Sequence, residues 1–245
     1  MNYILKTTLI GLFFGTFGTT LGGIIGVFMK GTSKKFLSFI LSLASGLMIA
    51  IVCFDLIPEA LSISKIPTVI LGIVFGVILM IICDILVAKK FNKNETSKMN
   101  SLLKTGIVVS IGLALHNFPE GLAIGSGFGA SIKLGYSLAI AILLHDIPEG
   151  ISMAVPMKNG GMKIYKVIIY VILSGITTGI GAFFGVLVGS ISEQIIAICL
   201  SFAAGAMLYI VSGELIPESN KLYSGKISSM GNILGFILGI FAASN

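Results

Sequence analysis

Arginine is absent from this 245-residue chain and charge of either sign is sparse, with 11% of residues charged against 56% hydrophobic. That balance, with a mean hydropathy of +1.06, excludes an ordinary soluble domain and describes a polytopic membrane protein. A formal charge of +6 would suit a nucleic-acid binder, but the sixteen lysines sit mainly in short loops between apolar runs, which sets that class aside. Cysteine is scarce as well. Cys53, Cys83 and Cys199 lie inside apolar runs with no paired spacing, so neither a disulfide framework nor a thiolate metal motif is implied. A cleavage site is also missing: the apolar run after Lys6 continues to Met29 without a small-residue pattern, and it reads as a retained first span rather than a signal peptide.

What is present is length of apolar chain. Eight runs are long enough to cross a bilayer, at about 4 to 29, 36 to 57, 67 to 88, 105 to 127, 134 to 157, 167 to 189, 194 to 216 and 230 to 244. The expected fold is an all-α integral membrane protein, one transport domain over 1–245, with a polar cytoplasmic loop at about 89–104. Lysine sets its orientation. Thirteen lysines fall in one set of alternate loops and only Lys6, Lys65 and Lys133 in the other, which places both termini outside the cytoplasm and the chain in the plasma (inner) membrane.

The chain repeats itself in inverted order. Ala44-Ser45-Gly46-Leu47-Met48 followed by Asp55-Leu56-Ile57-Pro58-Glu59 matches Ala203-Ala204-Gly205-Ala206-Met207 followed by Glu214-Leu215-Ile216-Pro217-Glu218 at a constant offset of 159. Span 2 runs outward and span 7 inward, so spans 1–3 and 6–8 form an inverted repeat around an antiparallel span 4/5 pair. Secondary transporters commonly have this symmetry, with a midplane site between the repeats. Glycines four apart in spans 1 and 6 read as close helix packing.

Ionisable residues are expensive in the membrane, roughly 2.5 to 3.5 kcal/mol each at a helix centre on insertion scales, and here they recur in one pattern. An acid or His, two residues, Pro and Glu occur at Asp55–Glu59, His116–Glu120, His145–Glu149 and Glu214–Glu218; with Asp146 these hold seven of the ten acids. The only two histidines are among them. On a helix His116 and Glu120 share a face, as do His145 and Glu149, with Asn117 and Asp146 three residues before the same glutamates. Pro119 and Pro148 leave the carbonyls of Leu115 and Leu144 without helical donors, which a membrane tolerates at liganded or wet cavities or where neighbouring helices re-satisfy them.

Imidazole with carboxylate suits Zn(II), Fe(II) and Mn(II), and the lack of thiol or thioether ligands in the motifs argues against Cu(I). Four ligands, His116, Glu120, His145 and Glu149, would complete a tetrahedral site. Asp55 and Glu59 fall at the outer end of span 2 and Glu214 and Glu218 at the inner end of span 7, so the acids outline a route with two mouths. Asp84 reads as an interfacial partner for Lys89 or Lys90, and Met48, Met153 and Met207 as packing.

These residues resemble a known family. His116-Asn117-Phe118-Pro119-Glu120-Gly121 and His145-Asp146-Ile147-Pro148-Glu149-Gly150 are similar to the paired signatures of the ZIP (Zrt-, Irt-like protein) family, in particular its bacterial ZupT-type members. The resemblance implies import of Zn(II), often also Fe(II), Mn(II) or Cd(II), as substrate, with no organic cofactor. It implies a primary site of His116, Glu120, His145 and Glu149, and a second site of Asn117 and Asp146 bridged by the two glutamates. It further implies homodimers and an elevator-like or rocking change of access. Many bacterial relatives add a span 6 glutamate; Thr178 stands at that place here. Two other classes accommodate the same residues: an intramembrane metal-dependent hydrolase, for which His-Glu-x-x-His is missing, and a proton or monovalent-cation pathway built on carboxylate relays.

Overall fold

The protein is described here from a computed structural model covering residues 3–29, 33–93 and 101–243, and every regular element among them is helical. Among the described residues eight helices are long and apolar enough to span a membrane. They are α1 (Tyr3–Phe28), α2 (Lys34–Ile63), α3 (Ile66–Lys93), α4 (Ser101–Ala130), α5 (Ile132–Asn159), α6 (Ile164–Gly189), α7 (Glu193–Leu222) and α8 (Lys226–Ala243). Of the polar loop expected at about 89–104, residues 89–93 continue α3 and 101–104 begin α4, while 94–100 lie outside the described residues.

Local chemistry sets the helix starts. Ser33, Ser131 and Ser192 cap α2, α5 and α7, each accepting a bond from the backbone N–H three residues on and so satisfying a donor the helix leaves free. The turns before α6 and α8 use Gly161 at φ 91° and Gly225 at φ 131°, conformations that side chains with a Cβ resist.

α2 and α7 run beyond the spans expected from sequence, which stop at Ile57 and Ile216, just before Pro58 and Pro217. The structure continues each helix through its proline by widening one turn, Val52–Leu56 in α2 and Val211–Leu215 in α7, into a π-helical turn in which Ile57 N–H bonds Val52 O and Ile216 N–H bonds Val211 O. A proline ring in a regular helix would press on the carbonyl four residues back, here Phe54 or Gly213; opening the turn accommodates it. Asp55 and Glu214 occupy the same place in the two widened turns.

Packing divides the helices into two groups, α1 with α4, α5 and α6, and α2 with α3, α7 and α8, joined where α4 lies along α7 and α5 along α2. A buried hydroxyl cluster ties α2, α7 and α8 together: Ser42 and Ser219 each bond Ser228, at 2.8 and 2.9 Å. The outward faces of α3 and α8, with Leu71, Phe75, Ile233 and Phe241, remain exposed and apolar, as lipid contact requires.

Close backbone contacts make the inverted repeat visible at atomic detail. Gly22 of α1 sits on the Ile147 carbonyl of α5, and Gly181 of α6 on the Phe118 carbonyl of α4, with no room for a Cβ at either. Gly150 sits on the Thr19 carbonyl and Gly121 on that of Thr178; Gly46 sits on the Asn232 carbonyl and Gly205 on that of Ile73. All six contacts obey one rule: 159 residues relate the first three helices to the last three, and 29 relate α4 to α5.

Candidate metal centre

α4 and α5 bring their two motifs face to face in the middle of the molecule. His116 is 2% exposed and Asn117, Glu120, His145, Asp146 and Glu149 are fully enclosed. Four of these converge: Glu120, His145, Asp146 and Glu149 offer ligand atoms that all lie within 4.8 Å of one another.

The imidazole of His145 is held in one orientation. Its Nδ1 donates to the Ala141 carbonyl, one turn back at 3.1 Å, so Nε2 is left to face the carboxylates, 3.0 Å from Glu120 Oε1 and 3.6 Å from Asp146 Oδ1. A backbone carbonyl fixing the far nitrogen of a histidine is the usual way a metal-facing ring is oriented. Asn117 is fixed in the same manner from α6: its Nδ2 donates to the Ser174 carbonyl at 3.0 Å, leaving Oδ1 unpartnered.

The oxygens are the informative atoms. Both of Asp146, both of Glu149, Oε2 of Glu120 and Oδ1 of Asn117 find no hydrogen-bond donor among the described residues. Buried polar groups are normally paired, and unpaired buried carboxylates carry the largest penalty of all. Three such side chains around one histidine offer a small dication one ligand atom each, and their three negative charges would outweigh its two by one.

His116 stands apart from this group. Its Nε2 lies 3.3 Å from Glu214 Oε1 on α7, within range of charge attraction though not aligned as a hydrogen bond. Both residues line a vestibule of about 660 Å³ that runs from the centre to Lys34, Asn159 and Leu222, at the lysine-rich ends of the helices. Glu214 therefore reaches from the expected inner mouth to the central motif, while Glu218 is exposed at the rim with Lys221 3.6 Å away. Asp84 also lines the vestibule. The Tyr209 hydroxyl donates to it at 2.7 Å; of the lysines the sequence pairs it with, Lys89 and Lys90, the Lys90 side chain lies outside the described residues.

At the opposite face Glu59 is half-buried, and Asp55 is 7% exposed with Oδ2 unpartnered among the described residues. Thr178 is buried against Gly15 of α1, its hydroxyl likewise without a partner. Sequence reasoning missed the roles of Ser174, Tyr209 and Asp84. It missed the π turns too.

Comparison with known proteins gives the same direction. A family model described as ZIP Zinc transporter matches residues 88–244. The chain is 34% identical to the zinc transporter ZupT of Oceanobacillus iheyensis, covering 97% of each protein, and 32% identical to ZupT of Akkermansia muciniphila, covering 96% of this chain and 93% of that one. It is 40% identical over 139 residues to the zinc transporter ZIP11 of Xenopus tropicalis, an alignment covering 54% of this chain and 41% of that longer protein.

Proposed function

This chain belongs to the ZIP zinc transporter family, and from that premise we propose that it carries a divalent cation across the inner membrane into the cytoplasm. Zn(II) is the first substrate, with Fe(II), Mn(II) and Cd(II) as further ones. It acts as a transporter and not as an enzyme. The observation that carries the reading is the enclosed group of Glu120, His145, Asp146 and Glu149 with its unpartnered oxygens.

In this reading the ion passes the acids Asp55 and Glu59 on the outer face and is stripped of water by the central carboxylates. His145 Nε2 supplies a nitrogen ligand, and Asn117 Oδ1 and His116 complete or exchange ligands as the ion moves. Three carboxylates against one dication leave the loaded site at −1, so capture is favoured over leaving the carboxylates unpaired. Release goes by His116 and Glu214 to the vestibule, where Asp84 and Glu218 mark the way out. The excess of lysine on that side assigns it to the cytoplasm, so the conformation described is the inward-facing one. The inverted repeat supports alternation between this state and an outward-facing one about the same site.

The test is zinc uptake into proteoliposomes loaded with a chelating dye, for wild type, Glu120→Ala and Glu149→Ala, with Mn(II), Fe(II) and Cd(II) as competitors. Saturable uptake in wild type that is lost in both variants is expected, and the order of competition ranks the ions. Normal uptake in both variants would refute the central site. Equal flux in metal-free, chelator-treated buffer, followed as proton movement, would favour a proton pathway instead.

A further inference from the structure

The two histidines sit in equivalent motifs but in different company, and the repeat explains why. The contact rule relating the halves, 159 residues for the flanking helices and 29 for α4 and α5, maps His116 onto His145 and Glu214 onto Asp55. Only one of these two pairs is formed. His116 Nε2 is 3.3 Å from Glu214, whose side chain is 37% exposed to the vestibule, whereas His145 is turned inward to Glu120 and Asp55 is shut away with an orphaned oxygen.

We infer that Asp55 is the partner of His145 in the oppositely facing state, and that transport exchanges the two histidines between a carboxylate in the centre and a carboxylate on the gate. This rests on the alternating-access reading above. An inverted repeat produces its second conformation by letting each half adopt the arrangement of the other. Contacts made now by one half are then made by their counterparts. His145–Glu120 becomes His116–Glu149, and His116–Glu214 becomes His145–Asp55. In each state one imidazole belongs to the enclosed site and the other stands at the open side, next to an acid carried on a π turn. Asp55 is thus a positioning residue: it draws His145 off the central cluster when the outer side opens.

The mapping also identifies where the two gates differ. Tyr209 and Asp84 correspond to Ala50 and Ala243, so this polar pair, whose Asp84 lines the present vestibule, has no counterpart on the other side. The acids on that side are Glu59, the counterpart of Glu218, Glu193, the counterpart of Lys34, and Asp55, which is one methylene shorter than Glu214.

The test uses the full chain in proteoliposomes, with Cys53, Cys83 and Cys199 changed to serine. Two single variants report the state: Ser152→Cys, on the vestibule wall, reacts with a membrane-impermeant maleimide in the conformation described, and Ala123→Cys, its buried counterpart at the offset of 29, reacts in the opposite one. The pair Asp55→Cys/His145→Cys is expected to be bridged by Hg(II), as is the pair Glu214→Cys/His116→Cys, which checks that such variants fold. In the cysteine-free chain Asp55→Asn is expected to lower zinc uptake about tenfold, the scale of a lost charged hydrogen bond, and Asp55→Glu to restore most of it. If both single variants label and the Glu214→Cys/His116→Cys bridge forms, but the Asp55→Cys/His145→Cys bridge does not, the exchange is refuted and alternating access stands. Absence of labelling of Ala123→Cys at every zinc concentration would refute both.

Discussion

Replacing Glu149 by glutamine separates the metal from the fold, because the structure predicts opposite effects with and without zinc. Glu149 is fully enclosed, its two oxygens have no donor among the described residues, and Glu120 and Asp146 lie within the same 4.8 Å group. Glutamine keeps the volume and removes one charge. In chelator the variant should be more stable than wild type, because one of three mutually repelling buried carboxylates is gone. With zinc the order should reverse. Breaking one partner of a buried charge pair typically costs about 3–5 kcal/mol, so zinc affinity should fall at least about a hundredfold.

Linkage converts that loss into a melting experiment. Zinc at a hundred times the wild-type Kd adds about 2.7 kcal/mol of stability, and a hundredfold weaker variant at the same zinc gains only about 0.4 kcal/mol. The assay is thermal unfolding of detergent-solubilised protein across a zinc series, with equilibrium dialysis for Kd. A glutamine variant that is no more stable than wild type in chelator, and that keeps its zinc-dependent shift, would show that the carboxylates are not the ion's ligands.

Other expectations follow from particular contacts. Glu214→Gln should leave zinc affinity at the enclosed site within a few-fold of wild type yet slow release, seen as uptake reduced several-fold with binding intact; lost binding would place Glu214 in the site itself. Tyr209→Phe removes the donor to Asp84 and should cost about 1–3 kcal/mol of local stability, with a smaller effect on uptake. Gly22→Ala and Gly181→Ala drive a methyl group into the Ile147 and Phe118 carbonyls and should each lower stability by about 1–3 kcal/mol; unchanged melting in both would contradict the helix spacing described.

Much of this architecture can be read from residues, and what cannot has identifiable causes. Apolar length and lysine spacing give the eight helices to within a few residues except at α2 and α7, where a proline was taken as an end and proved to be a widened turn. The Asp84 assignment shows a different limit. Its partner Tyr209 is 125 residues away, while the lysines that sequence proximity suggests are on the same helix. The separation of His116 from His145 was beyond reach for a third reason: their motifs are equivalent, and which ring joins the enclosed cluster depends on the conformation and not on the chain.

That last point bears on what balances such a molecule between its two facing states. If the two repeats were identical, the states would be related by the two-fold axis of the repeat, with equal energies and equal affinities, and net flux follows the ion's gradient in either case. A bias between states requires differential interactions, so it must reside where the repeats differ. Differences along the ion's route include Asp146 against Asn117, Glu214 against Asp55, the Tyr209–Asp84 pair against Ala50 and Ala243, and Lys34 on the vestibule against Glu193 on the other side. Glu214 and Asp84 put the larger or additional acid on the vestibule side, and Glu193 puts one on the other. Swapping the Asn117 and Asp146 side chains keeps the net charge and composition of the centre, and so tests this directly. The double variant Asn117→Asp/Asp146→Asn should still bind zinc while shifting the balance of Ser152→Cys against Ala123→Cys labelling toward the outward-facing state. An unchanged balance would move the source of the bias to the gates.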